Sequence, residues 1–209
     1  MEIYLQGKKI SLKPRQAIGK GGEADVFKLN KTTAVKVFKQ PNHPDYQGQP
    51  SEQQAARDRL TLHQQKLPHF PQGLPAEVIT PQELVRDGGG QIVGYTMRLI
   101  GQSEPLLRFS NRRFRHQHQI NNQGITEIFI QLHHLISQLH RQGVIIGDFN
   151  DLNVLIHQLQ PYLIDADSCQ FGQFLTPVFT ARFIDSPAMR SRRIGTHTRS
   201  TLHHRCRLV

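Results

Sequence analysis

Gly147-Asp148-Phe149-Asn150-Asp151-Leu152-Asn153 is followed by Ile164-Asp165-Ala166-Asp167. The carboxylate of Asp148 stands five residues before the carboxamide of Asn153, and Asp165 follows twelve residues after that. Short apolar strands are read at 154–156 and 162–164, flanking residues 158–161. A lone D-x-x-x-x-N carries little information. Its meaning here is decided by what precedes it in the chain, and in which order.

Upstream lies Gly19-Lys20-Gly21-Gly22-Glu23-Ala24-Asp25-Val26-Phe27-Lys28, read as a glycine loop between two strands. Glycines let a backbone approach phosphates closely enough for amide hydrogens to bind the oxygens. Taken alone, a glycine-rich hairpin turn reads the same way. The next strand contains Ala34-Val35-Lys36-Val37. Side chains alternate along a strand, so Lys36 points away from Val35 and Val37, to the side of Ala34 and Phe38. The strongest helix is 125–140, where Ile125, Ile128, Phe129, Leu132, Leu135, Ile136 and Leu139 recur at three and four residues as one apolar stripe. It ends at Gly143, and Val144-Ile145-Ile146 leads into the Asp148 loop.

The rest of the chain is punctuated by glycine and proline. Residues 2–12 read as a hairpin around Gln6-Gly7. Strands are expected at 15–18, 24–29 and 33–38, with Asn30-Lys31 as the turn joining the last two. Residues 40–50, with three prolines, read as a loop. Ser51 is the expected N-cap of a polar helix that ends before Pro68. Pro71, Pro75 and Pro81 break the next segment into short strands. A hairpin is expected over 85–99 around Asp87-Gly88-Gly89-Gly90, its second strand at 92–97. The boundary of two lobes is placed at Gly101.

The bulk numbers bound the class. The 209 residues suffice for one substantial core or two small lobes. No apolar run is long enough for a transmembrane helix, and the N-terminus lacks a basic-then-apolar signal, so no membrane partner is expected. Two cysteines, Cys169 and Cys206, fit a reducing cytoplasm, with Cys169 as a structural thiol. Six of the ten net positive charges belong to Arg190, Arg192, Arg193, Arg199, Arg205 and Arg207, after the last acid, Asp185. That basic end has no aromatic side chain to stack on bases, so it reads as a disordered, solvated end or an irregular terminus rather than a nucleic-acid arm. His116, His118, His133 and His134 lack the i, i+4 spacing of a metal site and read as surface histidines.

The order of glycine loop, strand lysine, long apolar helix, G-D-x-x-x-x-N and I-D-x-D resembles the protein-kinase-like superfamily. Gly147-Asp148-Phe149-Asn150-Asp151-Leu152-Asn153 with Leu163-Ile164-Asp165-Ala166-Asp167-Ser168-Cys169-Gln170-Phe171 is similar, more narrowly, to the bacterial kinase-like proteins that often carry a helix-hairpin-helix DNA-binding tail. The resemblance covers roughly residues 12–188. It implies an α+β, two-lobed fold: a β-rich N-lobe over 1–101, a partial, mainly helical C-lobe over 102–188, and a basic tail over 189–209. It also implies that Gly19, Gly21 and Gly22 cover the phosphates of ATP, and that Lys36 contacts them. Asp148 would orient or deprotonate the acceptor hydroxyl, with Asn150 beside it in the catalytic loop, and Asn153 and Asp165 would hold Mg2+. Oxygen ligation completed by water and phosphates suits that ion. Lys36 needs an acid; Glu52 and Asp58 are the two on offer. Lys36, Asp148, Asn153 and Asp165 are expected to converge on one cleft.

The departures from the family pattern also shape expectation. Ile146-Gly147 replaces the usual His-Arg, which removes the cation that would grip a phosphorylated activation segment. Asn150 replaces a common lysine, and Ala166-Asp167 replaces Phe-Gly. Residues 179–187 resemble the end of an activation segment, after which the helices of a full C-lobe do not follow. The leading expectation is an ATP–magnesium phosphotransferase acting on Ser/Thr hydroxyls of a protein. A small-molecule kinase of the aminoglycoside or choline kinase style is the alternative. A truncated, non-catalytic nucleotide-binding module is the third reading, and a polyanion binder driven by the basic tail is the fourth. An apolar face left open by the shortened lobe implies self-association or marginal stability.

Overall fold

The structure, a computed structural model, describes residues 1–176. The readings made on 179–187, on the basic end 189–209 and on Cys206 lie outside the described residues. The fold is α+β: an antiparallel seven-stranded sheet, a small three-stranded sheet, and helices. Among the described residues no helix is long and apolar enough to cross a membrane. The contacts divide the described residues into two compact units, Met1–Pro71 with Thr80–Gly101, and Gln72–Ile79 with the described residues from Gln102 on.

The first unit contains the large sheet. Its strands are β1 (Glu2–Leu5), β2 (Lys8–Ser11), β3 (Ala17–Lys20), β4 (Ala24–Lys28), β5 (Thr33–Phe38), β6 (Leu84–Arg86) and β7 (Ile92–Arg98). They lie in the order β2-β1-β6-β7-β5-β4-β3. The first hairpin turns at Gln6 and Gly7, both at positive φ (49° and 76°), as a tight two-residue turn requires. Residues 15 and 16 do not join β3 as expected. Pro14–Gln16 forms a 3-10 turn, and the strand starts only at Ala17. In the 87–90 turn, the Asp87 carboxylate accepts the Gly89 and Gln91 amides at 2.9 and 3.0 Å.

Alternation along β5 sorts the core onto two faces. Val35 and Val37 pack with Ile3, Leu12, Phe27, Val85 and Val93, while Phe38 packs with Ala24, Leu67, Ile92 and Tyr95. Each buried Val, Leu, Ile or Phe among them contributes about 1.5–3 kcal/mol. Helix α1 (Pro50–Lys66) is polar along most of its length, and polar contacts secure it. Gln64 donates to the Ile92 carbonyl at 2.8 Å and accepts from the Ile92 amide at 2.9 Å, and His63 stacks on Phe38 with ring centroids 4.2 Å apart. The N-cap is Gln49 rather than Ser51, because Pro50 takes the first helical position, where its missing N–H is no loss.

In the second unit, α4 (Asn122–Arg141) begins three residues before the expected start, since the Asn121 side chain caps the Gly124 amide at 2.9 Å. Ile128, Leu132, Leu135, Ile136 and Leu139 are buried, but Phe129 stays 43% exposed and so is not part of the buried stripe. Between Gly101 and this helix lie β8 (Glu104–Pro105) and two short helices, α2 (Leu106–Phe109) and α3 (Arg112–Gln117). β9 (Val154–His157) and β10 (Gln160–Leu163) form a hairpin, and β8 pairs with β9. The segment with Pro75 forms no strand. It contributes one parallel bridge, Val78 to Leu163, framed by hydrogen bonds of 2.8 and 2.9 Å.

Candidate active site

In the first unit, register lines up the residues that the sequence singles out. Gly19 pairs with Val26, Val26 with Lys36, and Lys36 with Tyr95, so the glycine strand and the lysine lie on one rung across four strands. Lys36 is 7% exposed, with its Nζ 5.7 Å from the Phe38 ring centroid and 5.9 Å from that of Tyr95. Aromatic faces favour a cation held there. Neither acid offered for it pairs with Lys36. Glu52 is exposed in the first turn of α1 and makes no ion pair among the described residues, and Asp58 accepts a hydrogen bond from Gln54 at 2.8 Å.

The glycine loop uses its groups unequally. Gly19 lies within β3, and the Gly21 amide is spent on the Ala24 carbonyl at 2.9 Å. Three carbonyls in succession are held by residues of the 39–46 segment. Lys39 Nζ donates to Gly21 O at 2.6 Å, the Tyr46 hydroxyl to Gly22 O at 2.7 Å, and the Lys39 amide to Glu23 O at 2.9 Å. Lys39 also pairs with Asp45, which holds the Asp45 carboxyl below its ordinary value against the opposing effect of desolvation. Arg59 of α1 binds the Glu23 carboxylate at 2.7 Å. Three prolines mark 40–50 as a loop, and that pattern carries no signal for these contacts.

In the second unit the acidic loop is built around one amide. Asn153 Nδ2 donates to the Asp148 carbonyl at 2.9 Å and to its carboxylate Oδ2 at 3.0 Å. With its donors so used, the Asn153 carbonyl oxygen accepts no hydrogen bond among the described residues. Asn150 shapes the turn: its Oδ1 accepts the amides of Leu152 and Asn153 at 2.9 and 3.1 Å. The side-chain acceptor of Asn150 is therefore committed to the backbone, and only its Nδ2 is left for chemistry.

Asp165 follows β10 in the left-handed region, at φ 63° and ψ 35°. Three links tie it to the Asp148 loop. The Ile164 amide donates to Asn153 O at 3.0 Å. Ser168 Oγ donates to Asp165 O at 2.9 Å and accepts from the Asp148 amide at 3.5 Å. Ile145 and Gln170 exchange two backbone bonds of 2.9 and 2.7 Å. Ser168 is a bridging residue that no spacing argument singled out.

Gly147 shows how tightly these segments are joined. A Cβ on it would strike the Ser168 carbonyl oxygen and Thr176 Oγ1, and would lie 2.9 Å from Thr176 Cβ. The Gly147→Ala variant should therefore lose about 1–3 kcal/mol of stability by overpacking. Denaturant midpoints would measure this, and an unchanged midpoint would contradict the close approach.

As donors, Asn153 Oδ1 and the Asp165 carboxylate suit a hard cation such as magnesium. No group of three or more His, Cys, Asp or Glu side chains among the described residues could hold a metal ion. No protein-family model matches the chain, and no curated protein matches it.

Proposed function

We propose that the chain is an ATP–magnesium phosphotransferase of the protein-kinase-like class, acting on a Ser/Thr hydroxyl. The observation that carries this reading is the Asn153 amide. It holds the Asp148 backbone carbonyl and carboxylate with its N–H groups and keeps its oxygen open for a metal. One side chain so placed serves both the acceptor and the metal. The two-lobed kinase-like arrangement belongs to the same proposal, and so does the assignment of Lys36, the glycine loop and the acidic loop to one nucleotide.

Asp148 accepts the proton of the attacking hydroxyl as its oxygen bonds to the γ-phosphorus. The β–γ bridging P–O bond breaks and ADP leaves with the electron pair. Lys36 and the loop amides hold the phosphates. Asn153 Oδ1 and the Asp165 carboxylate would hold magnesium, which would supply positive charge against the phosphates.

One observation favours a small-molecule hydroxyl as the acceptor instead. At Gly147 the backbone packing leaves no room for any side chain, so the arginine that would answer a phosphorylated segment has no place.

Titration calorimetry tests the proposal. ATP should bind in the presence of magnesium and much more weakly in EDTA, and magnesium alone should give no heat. Equal ATP affinity in both buffers would refute the metal assignment. Turnover measured with protein and with aminoglycoside or choline acceptors separates the two substrate classes. Binding without any turnover would leave the non-catalytic module.

A further inference from the structure

We propose that Lys39 and Tyr46 are positioning residues that aim the amide hydrogens of Gly22 and Glu23 at the phosphates of the nucleotide. The inference rests on the nucleotide reading above, and it names which groups of the glycine loop bind. In a trans peptide the carbonyl of one residue and the N–H of the next point in opposite directions. The chain has no cis peptide among its described residues. Lys39 draws the Gly21 carbonyl toward itself, which turns the Gly22 N–H away from it. Tyr46 does the same to the Gly22 carbonyl and so to the Glu23 N–H. Neither amide has a hydrogen-bond partner among the described residues, whereas the Gly21 amide is already engaged. Two successive N–H groups facing one way form an anion-binding concavity.

The clamp is built to keep its shape. Lys39 and Tyr46 are each only 5% exposed. Asp45 accepts from the Lys39 ammonium, and Asp25 Oδ1 lies 3.9 Å from it, so the buried charge is compensated. Arg59 anchors Glu23 from α1, which fixes the far end of the loop. Above Gly22 there is open space: a Cβ there would meet nothing within 4 Å.

The test uses the full chain as wild type, Tyr46→Phe and Lys39→Met, with ATP, adenosine and inorganic tripolyphosphate as probes. Tyr46→Phe removes only the hydroxyl that holds the Gly22 carbonyl. It should weaken ATP and tripolyphosphate about fivefold to tenfold, the effect of one lost hydrogen bond. Adenosine affinity should stay at its wild-type value, which a merely structural role would not produce, while the lost internal bond lowers the melting temperature by a few degrees. Lys39→Met should lose more affinity, in the same phosphate-dependent way. If wild type binds ATP and both variants match it, the clamp is overturned. If wild type fails to bind ATP, the nucleotide reading itself falls. Amide shifts at Gly22 and Glu23 on adding tripolyphosphate then decide the inference alone: shifts that weaken in Tyr46→Phe support it, and unmoved resonances overturn it.

Discussion

Replacing Asp148 by alanine should abolish phosphoryl transfer while leaving ATP–magnesium binding near its wild-type level. A positioned base contributes about 10²–10⁴-fold to such a step, so turnover should fall by that factor. Binding should survive because Asn153 has two anchors on Asp148. The variant deletes the carboxylate, and the backbone carbonyl still accepts from Nδ2 at 2.9 Å. The amide therefore keeps its orientation, and its oxygen would remain open to a metal. Asp148→Asn should be equally inactive with a still smaller change in affinity. Loss of binding in both variants, in step with loss of rate, would reverse the assignment and make Asp148 a metal ligand.

Asp165 should behave differently. Asp165→Asn should weaken magnesium-dependent ATP binding by at least about tenfold, with turnover falling in parallel, because a charged ligand is exchanged for a neutral one. The choice of asparagine matters. Asp165 has φ 63°, a conformation that asparagine tolerates and alanine resists. Asp165→Ala would therefore combine lost ligation with backbone strain, and a comparison of the two separates these effects. In EDTA, Asp165→Asn and wild type should bind ATP alike. An undiminished magnesium effect in Asp165→Asn would show that the ion is held elsewhere.

How much of this could be read in advance differs from element to element. Hairpins with local turn chemistry were legible: Gln6-Gly7 and Asp87–Gly90 turn where positive φ and a carboxylate cap dictate. Helix α4 was legible through its apolar spacing, except that spacing could not tell that Phe129 would stay exposed. The docking of α1 was not legible, since it depends on Gln64 reaching the Ile92 backbone, a contact 28 residues apart in the chain. The same holds for the site. Asp148, Asn153 and Asp165 stand out by spacing, whereas Ser168 and the Lys39–Tyr46 clamp act through backbone groups that no residue pattern encodes. Glu52 lies on the helix that follows Lys36 in the chain, and helix geometry leaves it in solvent.

The contact beneath Gly147 also constrains how this chain can diversify. One of the atoms that a new Cβ would strike is the carbonyl oxygen of Ser168, which every residue type carries. No exchange of side chain at 168 can therefore compensate a change at 147, and trimming Thr176 would leave the Ser168 contact in place. A larger residue at this position is therefore accommodated only by a shift of the main chain around Ser168.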